Sequence, residues 1–198
     1  LMNVSITHVK CDFSVPSLID RDQRPLNQFR PIIIDENQQL IANPSTYLVY
    51  QQQNKKTVPA WLISLPDLLT KKYELAVLVQ TFLICERAAI GIAAKKCLGN
   101  RQGPRFHKTF RRNFDEITGR TDELIAAKLG FGCKDSYRHA EKIQLFGTTE
   151  LIQSVNEGTL KISAAAQLTR FNHKQQREIL ALNKKEILNY VYTLKRGR

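Results

Sequence analysis

Cysteine is scarce and scattered in this chain of 198 residues: Cys11, Cys85, Cys97 and Cys133 form no CxxC pair, and no histidine lies at a zinc-finger interval from them. That spacing argues against a metal site and against a disulfide framework. Long apolar runs are also missing. The longest, from Ala76 to Cys85, is interrupted by Gln80 and Thr81 and is about half the length of a spanning helix. Leu1 to Val15 mixes polar residues throughout and does not read as a signal peptide, so the expectation is a cytoplasmic protein with free thiols and no membrane contact. No order of serine, histidine and aspartate and no paired carboxylates suggest catalysis, so neither an enzyme nor a cofactor is expected.

Acidic residues are the other shortage. Eighteen Asp and Glu stand against 30 Lys and Arg, a formal net charge of +12. Residues 1 to 100 hold 11 basic and 8 acidic residues, leaving 19 and 10 for the rest. An excess of this size needs solvent or an anionic partner, and it belongs to the C-terminal half. The stretch from Lys95 to Arg112 carries Lys95, Lys96, Arg101, Arg105, Lys108, Arg111 and Arg112 with no acid among them, a composition suited to phosphate contacts or, more plainly, to a solvated linker.

With 42% hydrophobic residues the chain has the apolar material for two small ordered units. From Val15 to Ser64, five prolines and short β-branched runs predict strands and turns. Pro31 to Ile34, an Asp-Glu-Asn turn and Gln38 to Ile41 read as a hairpin. Pro44 then opens a helix to about Gln53, and Thr57 to Ile63 returns as a strand. Beyond Pro66 the apolar spacing turns helical as far as Gly99, a C-terminal stop. Asn100 to Gly119 is the expected loop. Helices follow at Asp122 to Leu129, Cys133 to Phe146, Thr148 to Asn156, Ile162 to Thr169 and Lys174 to Leu194.

Thr121 to Ile143 carries the most information. Thr121 is an N-cap candidate, and Asp122 and Glu123 favour the first turn. Leu124, Ile125 and Leu129 supply an apolar face, and Ala126 and Ala127 permit close helix approach. Gly130 and Gly132 allow a sharp turn. The next helix should bury Tyr137, Ala140 and Ile143 and present Lys134, Asp135, Ser136, Arg138, His139 and Lys142 outward. Such a face fits a DNA major groove, with Arg138 reading guanine and Lys134 and Lys142 touching phosphate; an ordinary helical hairpin with a solvated face is the plainer alternative. Asp135 would be repelled by phosphates unless it accepts from a cytosine amine or pairs with Lys134 or Arg138.

Three ordered segments, Cys85 to Ala93, Gly119 to Gly130 and Glu150 to Ala166, resemble the central DNA-binding domain of ParB-like proteins of plasmids and mobile elements. The resemblance implies an α+β fold class: a ParB/sulfiredoxin-like domain over 1–66, connecting helices and a basic loop over 67–118, and an all-α helix-turn-helix domain over 119–198. It implies duplex DNA as partner, a role in plasmid partition, stability or transcriptional control, and association with nucleoid or plasmid. The expected contact set is Arg101, Arg105, Lys108, Arg120, Thr121, Cys133, Lys134, Asp135, Ser136, Arg138, His139 and Lys142. The family's nucleotide turn carries glycine and arginine, whereas Ile41 to Tyr47 here has neither, so the reading expects nucleotide chemistry to be lost. A nucleotide hydrolase or nuclease and a protein-interaction module are the alternatives. Ile187, Leu188, Val191 and Leu194 would seal the helical core or, alternatively, pair with a second copy in a homodimer.

Overall fold

A computed structural model of the chain describes residues 1–11, 26–70, 72–98 and 121–196. Its contacts divide into two units, Leu1–Lys72 and Tyr73–Arg198. Together they are mixed α and β, with one four-stranded sheet and ten α-helices among the described residues.

In the first unit the strands β1 (Met2–Ser5), β2 (Ile32–Asp35), β3 (Leu40–Ala42) and β4 (Thr57–Ile63) lie in the order β1-β4-β2-β3. β2 and β3 form the expected antiparallel hairpin. Its turn is closed by Asp35 Oδ1, which accepts from the backbone N–H groups of Asn37 (2.9 Å) and Gln39 (2.7 Å). The helix α1 (Pro44–Gln52) then carries the chain over so that β4 pairs parallel with β2. Ile32, Ile34, Leu40, Val58 and Ala60 centre this core, and Tyr47 and Tyr50 are half-buried against it. β1, pairing antiparallel with β4, was not expected from a polar opening; Val4 is its one buried residue.

The turn before α1 bears on the nucleotide question. Asn43 takes the left-handed conformation (φ 62°) that glycine would otherwise supply. Its side-chain amide donates to the Pro31 carbonyl (2.7 Å), and the Thr46 hydroxyl donates to the Arg30 carbonyl (2.7 Å). These two side chains thus join the start of α1 to the chain entering β2.

The second unit is helical: α2 (Leu65–Leu69) closes the first unit, and α3 (Leu75–Thr81), α4 (Ile84–Leu98), α5 (Thr121–Lys128), α6 (Lys134–Phe146), α7 (Thr149–Asn156), α8 (Ile162–Leu168), α9 (His173–Leu180) and α10 (Lys184–Arg196) build the second. Thr121 is the first helical residue of α5 and not the residue before it. The single helix expected from Lys174 to Leu194 is two, because two asparagines each start one. Asn172 and Gln175 exchange side-chain and backbone hydrogen bonds ahead of α9, and Asn183 and Glu186 do the same ahead of α10. Ile187 and Val191 join the core with Leu151, Val155, Leu160 and Leu168, while Leu188 is exposed; nothing is described for the Leu194 side chain. Gln176, fully buried, donates to the Phe146 and Phe171 carbonyls and accepts from Thr148 N–H, which ties the end of α6 to the starts of α7 and α9. The expected stop at Gly99 and the loop from Asn100 to Gly119 lie outside the described residues.

Candidate nucleic-acid interface

The helices α5 and α6 are joined by the turn Leu129 to Cys133, in which Gly130 (φ 70°) and Gly132 (φ 74°) both take positive φ, as a sharp reversal requires. At Gly132 only the backbone sign demands glycine, since nothing would touch a Cβ there. At Gly130 space demands it too: a Cβ would lie 2.6 Å from Val79. On α6, Tyr137, Ala140 and Ile143 are completely buried. Asp135, Arg138 and Lys142 are exposed, with Lys134, Ser136 and His139 half-exposed on the same outward side. On α5, Ile125 and Ala126 are buried but Ala127 is exposed. It therefore does not mediate helix approach; with Glu123, Ala126, Gly132, Cys133 and Lys134 it lines a shallow concavity of about 270 Å³ beside the start of α6.

Helix approach is mediated from α4. Arg87, Gly91 and Lys95 recur at every fourth residue and so share one face of that helix. Arg87, 8% exposed, donates through Nη1 to the carbonyls of Leu129 (2.6 Å) and Gly130 (3.3 Å), which places a cation on the carbonyl end of α5. Its guanidinium lies 5.2 Å from the centre of the Phe131 ring, which meets Tyr137 edge-on at 5.6 Å. Burial lowers the pKa of Arg87. A Cβ on Gly91 would come within 2.6 Å of the Tyr137 ring and 2.9 Å of Ile125, so the missing side chain is the space into which α5 and α6 pack.

Lys95 completes the stripe. Its Nζ donates to Glu141 Oε1 on α6 (3.1 Å) and lies 2.9 Å from Asp122 Oδ1 on α5, an ion contact without the alignment of a hydrogen bond. Desolvation depresses the Lys95 pKa, but the two carboxylates outweigh it and the net shift is upward. The Asp122 carboxyl is raised by desolvation and lowered more strongly by Lys95 and Arg138, for a net lowering. The sequence sets Lys95 at the start of a basic stretch suited to phosphate contacts or to a solvated linker; in the structure it is held between two acids. Its signal was the Arg-Gly-Lys interval on α4, which a search for apolar periodicity passes over.

The expected contact residues separate accordingly. Arg138 Nε donates to Asp122 Oδ2 at 2.6 Å, and Lys134 Nζ donates to Glu123 Oε1 at 3.1 Å. Neither pairs with Asp135, the partner considered from sequence, because the first turn of α5 presents its acids to them first. Arg138 has its pKa raised, chiefly by that bond to Asp122. Cys133 is the exposed N-cap of α6, and the Ser136 hydroxyl, 3.2 Å from its sulfur, heads the interactions that lower its thiol pKa. Thr121, half-buried, starts α5. Arg101, Arg105, Lys108 and Arg120 lie outside the described residues. Among the described residues no group of three or more His, Cys, Asp or Glu is placed to hold a metal ion, and no helix is long and apolar enough to cross a membrane.

No family model matches the chain, and no curated protein does. Among solved structures it is similar to the C-terminally truncated chromosome-partitioning protein ParB from Caulobacter crescentus, complexed to the centromeric parS site. The two are 16% identical, the match covers 98% of this chain and 100% of that one, and the TM-score is 0.36. A superposition this loose carries no weight for function, which has to come from the chain's own residues.

Proposed function

We propose that this chain binds duplex DNA by a helix-turn-helix, with α5 as the supporting helix and α6 in the major groove, in a ParB-like role in plasmid partition, stability or transcriptional control. The observation that carries the reading is the two-sidedness of α6: three side chains with no exposure on one face, and Lys134, Arg138 and Lys142 turned out on the other, directly after a two-glycine turn. The ion pairs on that face do not oppose it. Exposed pairs contribute about 0–1 kcal/mol, so a phosphate can displace Glu123 from Lys134. Bulk attraction comes from the C-terminal excess of basic residues, including Arg101, Arg105, Lys108 and Arg120.

The test is a gel-shift titration of the full chain, between about 50 and 200 mM salt, on duplexes selected from a random pool. Affinity is expected to fall linearly on log-log axes, with roughly one unit of slope per neutralised phosphate. Arg105→Ala is expected to weaken all sequences alike, while Arg138→Ala costs about 1–3 kcal/mol and relaxes preference at one position. Salt-independent binding, identical behaviour of the two variants, or no duplex bound would contradict the reading.

A further inference from the structure

We propose that Asp122 is a positioning residue that fixes Arg138 for reading one guanine; this rests on the DNA-binding reading above. A guanidinium carries five N–H donors, and the bond to Asp122 engages the one on Nε. The terminal nitrogens of Arg138 make no other hydrogen bond or ion pair with the described residues. Those terminal N–H groups form the fork that matches O6 and N7 of guanine in the major groove.

What separates this pair from an incidental surface contact is how the carboxylate is held. The Asp122 side chain is only 13% exposed, against 50% for Arg138, so the acid is the fixed member and the arginine the presented one. Lys95 Nζ sits 2.9 Å from the other carboxylate oxygen, and Lys95 is itself held by Glu141 from α6. Asp122, on α5, is therefore tied to α4 by Lys95 and, through Lys95 and Glu141, to α6. The four groups, two acids and two bases, sum to no net charge, which makes the cluster a poor source of phosphate affinity and a suitable source of base discrimination. The Lys134–Glu123 pair differs on each count: its acid is 49% exposed, and an ammonium cannot present a planar fork. Holding Arg138 by Nε before DNA arrives removes part of the side-chain ordering cost at binding, so the gain should appear in selectivity at one base pair.

The experiment uses duplexes selected by the full-length wild type from a random pool, with each guanine in turn replaced by 7-deazaguanine, which lacks the N7 acceptor. Wild type is expected to lose about tenfold in affinity at one guanine, and Arg138→Ala, which has no donor for N7 or O6, to be indifferent to the same replacement. Asp122→Ala is expected to lose about tenfold in preference for that guanine over adenine. Asp122→Asn keeps an acceptor for Nε and is expected to retain most of the preference; thermal melts of each variant identify any loss that is only unfolding. If Asp122→Ala melts normally and discriminates as well as wild type, the positioning role is wrong. If Arg138→Ala responds to that replacement as wild type does, or no guanine responds to deaza replacement, Arg138 is not the reader and the proposal fails while DNA binding stands. A wild type that selects no duplex overturns both.

Discussion

Gly91→Val is expected to lower the melting temperature of the helical unit by about 10 °C, corresponding to about 3 kcal/mol at a few degrees per kcal/mol. Two effects of opposite sign meet at this position. Gly91 lies inside α4, where replacing glycine by alanine normally gains about 1 kcal/mol in helix propensity. Against that, the new Cβ would stand 2.6 Å from a Tyr137 ring with no exposure, 2.9 Å from Ile125 and 3.1 Å from Leu129. Overpacking of a close-packed site costs about 1–3 kcal/mol, so Gly91→Ala should come out about 1 kcal/mol less stable. Valine adds two methyl groups to the clash and loses most of the propensity gain. Circular dichroism melts of the full chain give the order wild type, alanine, valine. A valine variant as stable as wild type would show that α5 and α6 do not rest on that face of α4.

Arg87→Met should lower stability by about 2 kcal/mol and weaken duplex binding along with it. The substitution keeps much of the apolar stem and removes the donor, so the Leu129 and Gly130 carbonyls lose their charged partner. A hydrogen bond from a charged group is worth about 1.5–3 kcal/mol, and the cation over the Phe131 ring adds about 0.5–2 kcal/mol. The opposing term is the cost of burying a guanidinium whose Nε has no hydrogen-bond partner among the described residues. We expect capping to outweigh desolvation, since the ion sits at the carbonyl end of α5, where the helix dipole favours it. Denaturant titration of the two proteins decides the sign: a methionine variant equal to or more stable than the parent would show that desolvation dominates. Binding should fall with stability because the same contact fixes the turn that aims α6.

The parts of this fold that were legible in the sequence are those written in local patterns. The β2–β3 hairpin, α1 behind Pro44, β4 and the two-faced α6 follow from β-branched runs, proline placement and 3.6-residue spacing. β1 was not legible, because four residues with one buried valine carry almost no period. The break at Leu182 and Asn183 was missed because apolar spacing continues across it, and only the reciprocal bonds of Asn183 and Glu186 mark the new start. Of the candidate site, the exposed residues of α6 were legible and their partners were not. Asp122 lies 16 residues before Arg138, and Lys95 lies 46 before Glu141. Asp122 and Glu123 favour the first turn of their own helix, which hides that they also engage Arg138 and Lys134. Arg87, Gly91 and Lys95 are none of them large apolar residues, so a hydrophobic pattern does not single them out, although they organise the helix pair.

If the outward face of α6 enters a DNA groove, as we propose, its amides must respond to duplex. Amide chemical-shift mapping of the full chain, titrated with a duplex selected from a random pool, tests it most directly. The largest perturbations are expected from Gly132 to Lys142, accompanied by the side-chain Nε–H resonance of Arg138. Perturbations confined to the basic stretch between Arg101 and Arg112, with α6 unchanged, would contradict it.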